Sequence, residues 1–205
     1  MPAQKQTVII GLKKQHAELH RKVLLRRHLL RRWATSGAAY VPFIGDGDIA
    51  LELYADRFIL GADIDPKRVA TASSRVSGDI RIADCDSWPF PDSDKRVSVA
   101  DFDAYSDPYT SFRSFWPRAH KADRLVVIFT DGLKQGIERS GHWRKPDGTY
   151  HDFDMTTKDW RPAFHFYLVK HVWPWFEDFI APYHVTERMR YLRGLMTYWG
   201  AAIEL

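Results

Sequence analysis

A single cysteine, Cys85, is present in 205 residues, which excludes an internal disulfide and points to a reducing cytoplasm as the compartment. No apolar run reaches about 18 residues, so no membrane-spanning helix is expected. Near the amino terminus, the apolar run Val8 to Ile10 is too short before the charges at Lys13 and Lys14 to serve as a secretory signal. Acidic residues are almost missing from the first 37 positions. There nine Lys and Arg face Glu18 alone, a surplus of 8, and with a total of +4 the remainder of the chain carries −4. Positive charge is therefore confined to one element, and a polyanion is its natural partner, because neutralised phosphates release their counterions.

What the chain has in plenty is rings: eight Trp, nine Tyr and twelve Phe, most of which must be core. Its length and 45% hydrophobic content suit one globular domain with a sizeable interior. Residues 12–33 contain no Gly or Pro and read as a long helix. Leu12, Leu19, Val23, Leu30 and Trp33 lie near one stripe, widened by Leu24, Leu25 and Leu29 and flanked by arginine pairs. Two readings stand side by side. The leucines pack the helix on the domain and leave a solvated basic face, or that face, with Arg21, Arg26, Arg27, Arg31 and Arg32, grips nucleic acid. His16 and His20 are spaced to chelate a metal, but no third ligand is evident nearby, so they read as surface histidines and no metal site is expected. The expected organisation is a basic helical arm over 1–37 and a single domain over 38–205.

That domain is organised around residues 38–65. An apolar run from Ala38 to Ile44 meets Gly45-Asp46-Gly47, then a helical pattern (Ile49, Leu51, Leu53, Tyr54), then a second apolar run that stops at Asp63 and Asp65. This is the outline of strand, glycine turn, helix and parallel strand. Glycines let the chain turn tightly and let a ligand approach the backbone, while a carboxylate just past the second strand can accept both hydroxyls of a ribose. The pattern predicts a nucleoside pocket at the carboxyl ends of parallel strands.

Pro42-Phe43-Ile44-Gly45-Asp46-Gly47 resembles motif I of the class I S-adenosylmethionine (SAM) dependent methyltransferases, in the form found in nucleic-acid amino-methyltransferases. The resemblance implies SAM as cofactor. Phe43, Gly45, Asp46 and Gly47 would pass its methionine moiety, Asp63 would hold the ribose, and Asp84 and Cys85, with Trp88 beside them, would border the adenine. One position departs: the acid of the family's motif falls on Val41.

Beyond Asp65, Pro66 opens a second helix through Ser73, Asp79–Ala83 is a short strand, Arg96–Phe102 a fourth, Tyr109–His120 a helix, and Arg124–Thr130 the most strand-like run of all. Alternation from 38 to 130 predicts a doubly wound, mostly parallel α/β sheet. Residues 131–162, punctuated by Gly132, Gly136, Gly141, Pro146, Gly148 and Pro162, read as an irregular functional loop whose interleaved basic and aromatic residues suit a lid or a base-stacking surface. Ala163–Ile180 reads as an aromatic-rich helix with a break at Pro174, and Tyr183–Arg190 and Tyr191–Ile203 as an antiparallel pair around Arg193-Gly194. The methyltransferase fold has such a hairpin and a nicotinamide-binding fold lacks it.

The chemistry is expected just after the fourth strand, in Asp101-Phe102-Asp103-Ala104-Tyr105-Ser106-Asp107-Pro108-Tyr109. Methylating an exocyclic amine requires an acceptor for the amine's hydrogens and an aromatic face to hold the flat base. Two alignments compete. Asp101 to Pro108 resembles the Asp-x-Asp-Pro-Phe-Gly-x-Pro motif of tRNA guanine-N2 dimethyltransferases, with Ala104 and Ser106 in place of Pro and Gly. Asp107-Pro108-Tyr109 resembles a shortened Asp/Asn-Pro-Pro-Tyr motif, and equally suits a simple helix cap. The first alignment casts Asp101 and Asp103 as orienting the amine and Tyr105 as stacking on the base. The resulting expectation is methyl transfer from SAM to a nucleobase amine in RNA, slightly ahead of DNA. A nucleic-acid-binding protein that kept the scaffold without catalysis, and an NAD-dependent enzyme using the same turn, are the alternatives.

Overall fold

The computed structural model of the protein describes residues 19–86, 94–193 and 195–205. Five strands, β1 (Ala38–Pro42), β2 (Ile59–Asp63), β3 (Gly78–Ile82), β4 (Val97–Phe102) and β5 (Lys121–Asp131), pair in parallel. The remaining two, β8 (His184–Arg193) and β9 (Met196–Glu204), form an antiparallel hairpin, and β9 also pairs antiparallel with β5. The order across the sheet is β3-β2-β1-β4-β5-β9-β8. Strand order reverses between β1 and β4, and at such a point a crevice opens beyond the carboxyl ends of the strands. β1, β2 and β4 are buried along their whole length, as expected of short apolar strands covered on both faces.

The two faces are built differently. On one, α1 (Leu19–Trp33), α2 (Asp48–Leu53) and α3 (Pro66–Ser73) cover the sheet with mainly aliphatic side chains. On the other, α4 (Tyr109–Phe115) and α7 (Trp173–Ile180) enclose an aromatic core in which Phe129 stacks on Trp199 at 4.5 Å and on Phe102 at 5.3 Å. Such ring pairs contribute on the order of 1 kcal/mol each beyond the area they bury, so the abundance of rings is spent mostly here.

Helix α1 lies on the sheet. Leu25 and Leu29 are buried against Val126, Ile128 and Tyr198, while Leu24 faces solvent. The approach is close: a Cβ on Gly200 of β9 would stand 2.6 Å from Leu29 Cδ1 and 2.8 Å from the Val127 carbonyl oxygen, so a larger residue there would press on both the helix and the neighbouring strand.

Two expectations are corrected. The segment 131–162 is not irregular: it holds α5 (Lys134–Ser140), a hairpin of β6 (His142–Arg144) and β7 (Tyr150–Asp152), and the start of α6 (Trp160–His165). Glycines that read as breakers have defined tasks. Gly141, at φ 68°, caps α5, and Gly148, at φ 89°, closes the hairpin turn by donating to the Lys145 carbonyl. The helix expected over Ala163–Ile180 is interrupted by a π-helical turn, Leu168–Val172, before α7. Pro174 has no N–H to continue the ordinary hydrogen-bond ladder, and a widened turn accommodates it.

Candidate active site

The chain leaves β1 through three residues of positive φ: Phe43 at 64°, Gly45 at 55° and Gly47 at 80°. The two glycines differ in what they permit. A Cβ on Gly47 would press on Ala72 at 3.2 Å, so the second glycine lets α2 start against α3. Nothing lies within 4 Å of a Cβ on Gly45, which therefore opens onto free space. Phe43, a left-handed residue that is not glycine, is held by a hydrogen bond from its N–H to Cys85 Sγ at 3.2 Å. Burial pushes the Cys85 thiol up to about 12, against the Phe43 N–H, so this sulfur is a structural acceptor and no nucleophile.

Asp63, at the end of β2 and 7% exposed, ties the same turn together. Its Oδ2 accepts from Gly45 N at 3.0 Å and its Oδ1 from Asp65 N at 2.9 Å. A carboxylate has about four lone-pair sites, so each oxygen retains capacity for one more donor. Ile64 follows at 73% exposure, an apolar side chain standing free beside Asp63. It was not singled out from sequence, although an apolar residue directly after a strand-end acid is a readable signal. Asp84 is exposed, its Oδ1 accepting from Asp86 N at 3.1 Å, and Trp88 lies outside the described residues.

A cleft of about 630 Å³ runs from the glycine turn to the end of β4. Phe43, Gly45 and Asp46 line it from one side and Asp103 and Tyr105 from the other, with Lys22 of α1 beside them. Tyr105 is 87% exposed, its ring free on the rim. Lys22 Nζ donates to Asp103 Oδ1 at 2.8 Å, and an Arg26 nitrogen lies 3.7 Å from the same oxygen. Burial pushes the Asp103 carboxyl up, but Arg26 and Lys22 outweigh it and hold the group at about 2.

Asp101 is elsewhere. Along β4, Ala100 and Phe102 face the aromatic core while Asp101 points to the opposite side. Arg26 grips it through two 2.7 Å bonds, Nε to Oδ2 and Nη2 to Oδ1, and the Tyr54 hydroxyl adds a third at 2.7 Å. Asp101 and Arg26 are both 0% exposed. Asp101 thus has no access to the cleft, and Arg26 has no access to a phosphate; both expectations are corrected by the pair they make with each other. Asp107 is the helix cap of the plainer reading, its Oδ1 accepting from Tyr109 N at 2.8 Å, with Arg144 paired to it at 3.1 Å.

The remaining arginines lie along a separate groove of about 880 Å³ between α1 and β8, lined by Arg27, Arg31, Arg32 and Arg190 among apolar side chains. Arg27 is paired with Glu52 and Arg32 with Glu187. Ten residues of helix, about 15 Å, separate Arg32 from Lys22 at the cleft. The side chain of Arg21 lies outside the described residues.

Sheet order, glycine turn and strand-end acid together define the class I methyltransferase fold. No protein-family model and no curated protein matches the chain. Among solved structures it is similar to the N-methyltransferase NodS from Bradyrhizobium japonicum WM9 (12% identity, TM-score 0.56, 94% of this chain and 98% of that one). It is also similar to the plantazolicin methyltransferase BpumL, solved with a desmethyl plantazolicin analogue and SAH (8% identity, TM-score 0.56, 99% and 91%). A third is M. jannaschii TYW2 in complex with AdoMet (10% identity, TM-score 0.51, 89% and 75%). At these identities the likeness is one of fold.

Proposed function

We propose that the protein transfers a methyl group from SAM to an exocyclic amine of a nucleobase, in RNA ahead of DNA. The observation that carries this reading is Asp103: a carboxylate held ionised at the end of β4, lining the cleft that begins at Gly45, with the free ring of Tyr105 two residues on. The residues fit the cofactor. Gly45 leaves open the space that its approach requires, Asp63 keeps lone pairs for a ribose, Ile64 offers an apolar face for the adenine, and Asp84 and Cys85 follow the end of the neighbouring β3. When bound, SAM supplies an electrophilic methyl group on a sulfonium.

The chain's own residues then set the acceptor. Tyr105 holds the flat base by stacking. Asp103 accepts the amine's hydrogens, which turns the nitrogen lone pair into the cleft. A carboxylate at about 2 is too weak a base to carry a proton near neutrality, so Asp103 orients the amine and the proton passes to solvent. The outer groove, with Arg27, Arg31 and Arg32, is the surface suited to the phosphate backbone.

A binding-only descendant of the fold is the second reading, and Val41, buried and apolar where the family carries an acid, favours it. The expected result is that SAH binds with measurable heat and that radiolabel passes from SAM to one member of a tRNA, rRNA and DNA panel. Asp103→Asn is expected to lower transfer about 100-fold with SAH affinity kept. Binding without transfer to any member supports the second reading, and absence of SAH binding removes both cofactor and reaction.

A further inference from the structure

We propose that the amino-terminal helix is a working part of the methyl-acceptor site, with Lys22 and Arg26 as positioning residues that fix the Asp103 carboxylate in its charged form. The inference deepens the functional reading above and rests on it for the role of Asp103.

Lys22 and Arg26 are four residues apart and so share one face of α1. Both cations approach the same oxygen, Oδ1, at 2.8 and 3.7 Å, so Oδ2 is the oxygen left to accept from an amine. Neither cation is loosely held. Arg26 is clamped by both oxygens of Asp101, which Tyr54, the residue that closes α2, also engages, and Lys22 Nζ rests 5.3 Å over the ring of Tyr198 on β9. Groups on α1 and β9, at the end of α2 and within β4 therefore set the position of one carboxylate just past the end of β4.

Other polar groups lie around Asp103 too. Thr130 of β5 also lines the cleft, without a hydrogen bond to Asp103 by its geometry; Asp101 and Tyr54 stand behind Arg26, and Asp46, Asp48, Arg68 and Arg139 line the same cleft. Burial works against ionisation, and Arg26 and Lys22 overcome it. The two cations thus hold the Asp103 carboxyl below the usual carboxylate range, at about 2. Without Lys22, burial is less opposed and the midpoint rises, so the acceptor role fades as pH falls through the new midpoint. A protonated Asp103 offers a hydrogen where the amine needs an acceptor.

The test uses the full chain with Lys22→Met and Lys22→Arg. The Asp103 carboxyl is titrated by carbon-13 NMR, the pH dependence of kcat is measured, and SAH affinity is followed by calorimetry. Lys22→Met is expected to move the Asp103 midpoint up toward the usual carboxylate range and to bring an acid limb into the kcat profile, lowering kcat about tenfold at its acid end. Lys22→Arg, which keeps the charge, is expected to restore both, and SAH affinity is expected to stay within about twofold. An Asp103 midpoint unmoved in Lys22→Met overturns the proposal. Weakened SAH binding with an unmoved midpoint also overturns it and makes Lys22 a cofactor ligand. Failure of the functional reading is seen separately in the wild-type protein, as absent methyl transfer while the Asp103 titration still responds to Lys22.

Discussion

Two aspartates at the ends of neighbouring strands, Asp101 on β4 and Asp131 on β5, are both fully buried and are accommodated in opposite ways. Asp101 faces the aliphatic side and receives a guanidinium and a phenol. Asp131 faces the aromatic side, where its hydrogen-bond partners are neutral: the Tyr109 and Tyr167 hydroxyls, at 2.5 and 2.8 Å, and Leu133 N at 2.8 Å. Burial pushes the Asp131 carboxyl up to about 7, against those three donors. The difference teaches where charge is tolerated in this fold. On the α1 side an ion pair clamps a helix to the sheet, and on the α4 side a carboxyl near its titration point joins the sheet to Tyr167, which precedes α7.

The sharpest way to break the comparison is Asp101→Ala. It takes both hydrogen-bonded oxygens from the buried Arg26 and leaves it only the longer contact to Asp103 at 3.7 Å, and about 3–5 kcal/mol of stability should be lost, read by urea unfolding. A loss under about 1 kcal/mol would show that Arg26 finds solvent and that α1 is not clamped. The buried pair makes this chiefly a stability substitution, whereas a purely catalytic Asp101 would be replaceable at little cost in folding.

Next in size is the pH dependence of Asp131. Its folded value lies above its unfolded one, so between about 4 and 7 the folded state binds the extra proton, and stability is greatest at the acid end and falls as pH rises. The expected decline from this group is on the order of a few kcal/mol, and Asp131→Asn should flatten it. Unfolding free energies with the same slope in both proteins would refute the account. The smallest effect is expected from Tyr167→Phe, which removes one donor of three and should lose about 1–2 kcal/mol, more at high pH than at low. Equal losses across that range would mean that the Tyr167 hydroxyl does not distinguish the two states of Asp131.

The parallel core was legible because Ala38–Ile44, Phe58–Ala62 and Arg124–Thr130 are apolar runs bounded by glycine or acid, and such runs have few other uses. The cleft was legible in part. Gly45, Asp63 and Asp103 sit at strand ends, where sequence order and spatial order coincide. Asp101 was misplaced because it and Asp103, two residues apart, share a face of the strand: Asp101 lies within β4, where Arg26 and Tyr54 cover it, and only Asp103, past the strand's end, reaches the cleft. Arg26 was misread because a basic residue on a basic helix gives no local sign that its partner lies on a distant strand. The caps and hairpin within 131–162 depend on φ at Gly141 and Gly148, and composition does not distinguish such glycines from those of an open loop.

Helix α1 precedes in the chain every strand on which it is seated. Its leucines rest on β5 and β9, and β9 follows every other strand of the sheet in chain order. Until Gly200 is in place, the groove that admits Leu29 does not exist, and Arg26 must wait for Asp101. A nascent chain therefore carries an apolar, basic helix without its berth until β9 has been made, the kind of long-range closure that makes folding slow and exposes intermediates to aggregation.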